Sequence, residues 1–248
     1  MKNILAVIPA RYDSQRFPGK PLAMIGDRTM VQWVYEAAKQ CPSFSNVVVA
    51  TDSEVIADCV HRFGGHVEMT SNTHVSGTDR VAEVATRYPK AIAVANVQGD
   101  QPFVTEKMLT QLVAPYFNQE TPLPDMTTLA CPLDSKTGYS DPNVVKVLCD
   151  RYNHAIYFSR SPIPYFRNSL PAPVFHHLGL YAFRRDFLDE YAQLTPTPLE
   201  QCEALEQLRV LEHGYRIQVC HTQVATLEIN TPEDLIQAQF LITKRSTL

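Results

Sequence analysis

No apolar run in the 248 residues approaches the about 18 that a membrane-spanning helix requires, so no membrane partner is expected. The start only superficially suits a signal peptide. Lys2 precedes the run Ile4–Ala10, but that run is minimal, meets Arg11 at once and has no small-x-small cleavage site, so it reads as a first strand. Paired cysteines are also missing. Cys41, Cys59, Cys131, Cys149, Cys202 and Cys220 lie far apart, which excludes C-x-x-C or zinc spacing and suits buried, reduced thiols of a cytoplasmic protein. Positive charge is scarce: a net charge of −4 and a pI of about 6.1 argue against a nucleic-acid polymer as partner. There is no internal repeat, no low-complexity segment, and no G-x-x-x-x-G-K-[ST], which excludes a Walker A phosphate loop.

What is present is a soluble globular composition, 45% hydrophobic and 19% charged, in a chain long enough to bury a sizeable core. The stretch that organises it is Ile4–Pro21, ILAVIPARYDSQRFPGKP. A short buried strand stops at Pro9 and opens into a loop with Arg11, Arg16 and Lys20. Up to Lys20 there are four basic residues, Lys2, Arg11, Arg16 and Lys20, against one acid, Asp13, so the excess is local to this loop. Pro9, Pro18 and Pro21 stiffen it, lowering the entropy cost of holding cations close together. A strand ending in a cationic loop is how an α/β sheet presents a phosphate site at its carboxyl edge; the plain alternative is a surface loop with solvated charges.

Helix and strand patterns alternate in the first half, the mark of a Rossmann-like α/β fold: a mainly parallel sheet with crossover helices. Helices are expected over Met30–Gln40, from the Thr51-Asp52-Ser53 cap cluster to Gly64-Gly65, after Ser76-Gly77-Thr78, and over Glu106–Phe117. Strands are expected at Val47–Ala50, Val67–Met69 and Ala91–Val97. Pro122, Pro124 and Pro132 mark a loop region. From Val144 on, strand-like stretches (Val144–Cys149, Ala155–Phe158, Leu178–Phe183) predict a small antiparallel extension. The rest reads as one amphipathic helix over Leu199–Glu212, strands at Ile217–Val219 and Thr226–Ile229, and a last helix opened by Thr231-Pro232. One domain over 1–248, with an antiparallel subregion around 144–220, is the expectation.

Several polar groups sit where chemistry is done. Asp100 follows the apolar run in N-V-Q-G-D, at a strand end, and reads either as a turn residue or as a Mg²⁺ carboxylate completed by phosphate oxygens. Ser76-Gly77-Thr78-Asp79-Arg80 reads as a capped helix start, with Gly77 permitting close backbone approach. Arg160 follows an apolar strand and suits a carboxylate. His177, in His177-Leu178-Gly179-Leu180-Tyr181, reads by itself as structural. Glu203, Glu206, Gln207 and Arg209 share a helix whose apolar face is Leu205, Leu208 and Leu211.

The run P-A-R-x-x-S-x-R-x-P-G-K-P resembles the signature loop of sugar nucleotidyltransferases, in detail that of the 3-deoxy-manno-octulosonate (KDO) cytidylyltransferases. The resemblance extends through N-V-Q-G-D, S-G-T-D-R, Y-F-S-R-x-x-I-P, H-x-G-x-Y and L-E-Q-L-R-x-L, over about Ile4–Leu235. It implies the nucleotide-diphospho-sugar transferase type of fold and transfer of CMP from CTP to a 3-deoxy-octulosonate-type sugar acid, with Mg²⁺ as cofactor and typically a homodimer. It implies Arg11, Lys20 and Asp100 as catalytic residues, and Pro9, Ala10, Arg11, Arg16, Lys20, Ser76, Gly77, Arg80 and Gln98 at the nucleotide. Gln98, Arg160, His177, Gly179, Tyr181, Glu206 and Gln207 would face the sugar, and Asp100 and Asn230 the metal. Two departures stand out: Gln101 where the family has an acid, and Asn230 where it usually has aspartate. Asparagine keeps an oxygen ligand but loses the charge, and Glu228, two residues earlier on the expected strand, is expected to compensate in part. The alternatives are another acceptor (8-amino-KDO or a sialic acid) or CTP binding without turnover.

Overall fold

Ile4–Ile8 are completely buried in β1 (Ile4–Pro9), as befits a strand covered on both faces. The structure, a computed structural model, describes residues 3–13, 17–74, 76–118, 122–133, 136–168, 173–223 and 225–245. The chain divides into two units, Met1–Thr110 with Thr226–Leu248, and Gln111–Ala225.

After β1 come a 3₁₀ turn at Lys20–Leu22, a short hairpin of β2 (Met24–Ile25) and β3 (Arg28–Thr29), α1 (Met30–Gln40) and β4 (Asn46–Thr51). Then follow α2 (Glu54–Arg62), β5 (Val67–Met69), α3 (Gly77–Thr86), β6 (Ala93–Asn96), α4 (Glu106–Val113) and a 3₁₀ turn, Ala114–Phe117. β1 pairs in parallel with β4 on one side and β6 on the other, and β5 extends β4 in parallel. α1 turns Met30, Val31, Val34, Tyr35 and Ala38 inward, and α2 turns Ile56, Ala57, Cys59 and Val60 inward. This is the period of a helix laid on a sheet. The first-half helices and strands fall where expected, except that Glu106–Phe117 is α-helical only to Val113 before its 3₁₀ turn and that the β2–β3 hairpin is not among the expected elements.

The second unit contains β7 (Met126–Pro132), α5 (Lys136–Ser140), β8 (Lys146–Cys149), β9 (Ala155–Ser159) and β10 (Phe175–Arg184). They are followed by α6 (Arg185–Tyr191), α7 (Pro198–Glu203), α8 (Leu208–Glu212) and β11 (Ile217–His221). β10 runs antiparallel to β7 and to β8, β8 antiparallel to β9, and β11 parallel to β7. The expected antiparallel extension is this set. The last helix, α9 (Pro232–Arg245), returns to the first unit, where Ala238 and Ile229 pack with Ile25 and Met30.

Three expectations fail, each for a visible reason. The proline-marked loop contains β7, whose Thr127, Thr128, Leu129 and Ala130 are fully buried; its prolines only bracket it, with Pro132 at the exposed strand end. The helix over Leu199–Glu212 is broken at Ala204, which adopts φ +51. There Arg160 takes two carbonyls, Nε donating to Glu203 O at 2.7 Å and Nη2 to Ala204 O at 3.4 Å. Thr226–Ile229 is irregular, attached by single bonds such as Ile229 N–H to Asp100 O at 2.9 Å. The period-two link between Glu228 and Asn230 therefore does not apply, and Glu228 is exposed while Asn230 is half-buried.

Candidate functional site

In the first unit the strand ends gather the nucleotide candidates. Beyond Pro9, Ala10 keeps the β1–β4 register by donating its N–H to Ala50 O at 2.9 Å, and Arg11 emerges exposed. Arg16 lies outside the described residues. The loop closes where Gly19 N–H donates to Tyr12 O at 2.8 Å, and the 3₁₀ turn then aims Lys20 inward. Lys20 Nζ lies 2.8 Å from Asp100 Oδ2 and 3.4 Å from Asn230 Oδ1.

Backbone contacts place the partners of Lys20. Val97 N–H donates to Val7 O, continuing β6 along β1. At Gly99 a Cβ would stand 2.9 Å from Pro9 O, so only glycine lets the chain pass there and deliver Asp100. Asn230 is set by the start of α9: Asp234 Oδ2 accepts from the N–H groups of Asn230 and Thr231, both at 2.9 Å, and Asp234 N–H donates to Thr231 Oγ1 at 3.3 Å. The expected threonine N-cap is real.

Ser76 caps α3 through a reciprocal pair with Asp79, at 3.0 and 3.1 Å. Gly77 sits beside Pro9, where a Cβ would make ordinary contact with Pro9 Cγ at 3.5 Å. Gln98 Nε2 donates to Asn96 Oδ1 at 3.1 Å, and Asn96 Nδ2 donates to Thr78 Oγ1 at 3.3 Å, tying the end of β6 to the start of α3. Arg80 is turned inward: it is 0% exposed, its Nη2 is 2.8 Å from Asp52 Oδ2, and its Nη1 bonds the Thr70 hydroxyl. Asp52, expected within a helix cap, is instead the counter-ion of this buried cation. The helix N-cap is Ser53.

The second unit holds the other candidates. Glu203 organises the end of β9, accepting from Ser159 Oγ at 2.6 Å and from the Arg160 N–H at 2.9 Å. Arg160 adds Pro142 O, at 3.1 Å, to the carbonyls of residues 203 and 204. Its guanidinium thus clamps three main-chain oxygens. His177 is 6% exposed, 2.9 Å from Thr128 Oγ1 by its Nε2, with the Phe158 ring at 4.9 Å and the Tyr181 ring at 5.5 Å. Burial, with a smaller push from His176, drives its pKa down to about 3, so the ring is neutral. Gly179 takes φ +65 in a bulge between His177 and Tyr181. Tyr181 OH donates to Gln207 Oε1 at 3.1 Å, and the buried Gln207 Nε2 has no hydrogen-bond partner among the described residues. Glu206 is exposed, with Tyr191 OH donating to Oε2 at 3.4 Å. Arg209 grips Glu200 at 2.8 and 2.5 Å and holds α7 to α8.

Sequence reasoning missed Asp52, Asn96 and Thr128. Asp52 and Asn96 carried a signal, a polar residue at a strand end. Thr128 carried none.

An α/β unit whose strand ends bring a cationic turn against a carboxylate and an amide has its polar groups where such folds bind phosphate-bearing ligands. The chain belongs to the cytidylyltransferase family, whose model matches residues 5–217. It is 66% identical over 245 residues to the 3-deoxy-manno-octulosonate cytidylyltransferase of Acaryochloris marina, covering 99% of each chain. It is 52% identical over 246 residues to the enzyme of the same name from Synechococcus elongatus, covering 99% of this chain and 100% of that one. Among solved structures it is similar to CMP:2-keto-3-deoxy-manno-octonic acid synthetase complexed with CTP. That match is 39% identical with a TM-score of 0.92, covering 98% of this chain and 100% of the other.

Proposed function

We propose that this chain transfers CMP from CTP to the anomeric hydroxyl of 3-deoxy-D-manno-octulosonate, giving CMP-KDO and diphosphate for lipopolysaccharide biosynthesis in the cytoplasm. The observation that carries this reading is the meeting of Lys20, Asp100 and Asn230 at one cation position on the carboxyl edge of the parallel strands. The family membership and the 66% identity support the same chemistry.

In this reading Arg11 and Lys20 hold the triphosphate, Arg as a fork and Lys as a point charge. The Ser76–Gly77 turn and Gln98 serve the nucleoside, with Arg80 bracing α3 from inside. Arg160, His177, Gly179, Tyr181, Glu206 and Gln207 serve the sugar acid. Asp100 and Asn230 fit Mg²⁺: they offer one carboxylate and one amide oxygen around a point that already accommodates an ammonium, leaving other ligands to phosphates and water. When bound, Mg²⁺ supplies neutralisation of triphosphate charge. The protein's own share is positioning for in-line attack on the α-phosphorus and electrostatic support of the leaving diphosphate. No helix of the described residues is long and apolar enough to cross a membrane. By analogy with the family the working form is a homodimer, which light scattering tests.

The deciding experiment is diphosphate release from CTP and Mg²⁺ with KDO, 8-amino-KDO and sialic acid offered separately. Release with KDO is the expected result. Release with only one of the others replaces the acceptor. CTP binding without release favours a nucleotide-binding role, the reading to which Asn230 in place of aspartate points.

A further inference from the structure

Between His177 and Tyr181, four steps along β10 span only two steps of β7, from Ala130 to Thr128. The bulge that absorbs the difference turns the Leu180 carbonyl onto Thr128, whose Oγ1 donates to it at 2.8 Å. A threonine hydroxyl has one proton, and a carbonyl can only accept. The proton of Thr128 is therefore committed. Its second contact, 2.9 Å to His177 Nε2, must run the other way, with Nε2–H donating to the threonine oxygen. In a neutral imidazole this leaves Nδ1 without a proton, as an acceptor. Thr128 is 0% exposed, so water does not compete for its hydroxyl.

We propose that Thr128 is a positioning residue that fixes the tautomer of His177, making Nδ1 an acceptor for a hydroxyl of the sugar acid rather than a donor to its carboxylate. This rests on the acceptor reading above and names what that reading requires of His177. Gln207 supplies the complementary half: Tyr181 occupies Oε1, so the unpartnered buried Nε2 is a donor. An acceptor and a donor joined through Tyr181 match hydroxyl groups, which both give and take a hydrogen bond.

The test combines spectroscopy and kinetics. Long-range ¹H–¹⁵N correlation of the ¹⁵N-histidine protein, with H177Q to assign the ring among eight histidines, should show the Nε2–H form at pH 7 in the wild type. T128V, similar in shape but without the acceptor, should shift His177 towards Nδ1–H. It should also raise KM for the sugar acid about tenfold, the worth of one hydrogen bond, with kcat and KM for CTP within about twofold. T128S should restore both readouts. An Nδ1–H signal in the wild type, or a T128V protein with unchanged tautomer and KM, overturns the proposal. The wild-type spectrum decides the tautomer even if T128V does not fold. It also needs no turnover, so a failed acceptor assignment remains distinguishable from a failed tautomer assignment.

Discussion

Lys20 and Asp100, separated by 80 residues in sequence, form a 2.8 Å ion pair whose side chains are 16% and 19% exposed. The same ammonium reaches Asn230 at 3.4 Å. Two residues proposed as metal ligands thus already share a cation supplied by the protein itself.

A cation at this point competes with any other cation. Lys20→Met should therefore tighten Mn²⁺ binding to the nucleotide-free protein several-fold while lowering kcat by about 100-fold through loss of charge at the phosphates. Electron paramagnetic resonance titration and diphosphate release read the two effects. Weaker Mn²⁺ binding in this variant would refute the competition.

Asn230 is held by the Asp234 capping interactions, so a carboxylate there keeps its place. Asn230→Asp should reduce the Mg²⁺ concentration for half-maximal rate by about three- to tenfold, because Mg²⁺ prefers charged oxygen ligands. An unchanged Mg²⁺ requirement in rate assays sinks the idea that position 230 limits metal binding.

Arg80 is a buried cation with a specific counter-ion, Asp52, so its loss strands a partly buried carboxylate. Arg80→Met should cost about 3 kcal/mol, or about 6–12 °C in Tm for a chain of this size. The double variant with Asp52→Asn should recover part of the loss. Equal melting temperatures for Arg80→Met and wild type would show that the pair does not brace α3.

His177 links stability to pH with a definite sign. The unfolded ring takes a proton below about 6.5, whereas the folded ring resists until about 3, so the unfolded state binds more protons in that window. Stability should fall as pH drops from 6.5 towards 3, by about 1.4 kcal/mol per unit from this group, and stay flat above 6.5. Unfolding free energies from urea titrations at pH 7 and 5 should differ by ~2 kcal/mol more in the wild type than in His177→Gln. Parallel pH profiles for the two proteins would count against a buried neutral ring.

The elements the sequence made legible are those whose causes are local. The apolar run of β1, the 3.6-residue faces of α1 and α2, the Ser76–Asp79 box and the Thr231 cap each depend on residues within a few positions of one another. The site loops were legible for a different reason: their motifs resemble those of a family. Where a local pattern met a distant partner, the reading failed. The apolar face over Leu199–Glu212 is genuine, yet Arg160 draws off carbonyls at residues 203 and 204 and the helix breaks at Ala204.

By itself, then, the sequence determined the order and kind of most elements, the cationic loop after β1 and the residues available for chemistry, because periodicity, capping and turn formation act over a few residues. Tertiary structure alone decided which of those residues meet. Lys20 finds Asp100 and Asn230 across 80 and 210 residues, Arg80 finds Asp52, and Thr128 finds His177 across 49. Such contacts depend on strand register, on the bulge at Gly179 and on the close backbone passage at Gly99, and none of these is written in a local pattern.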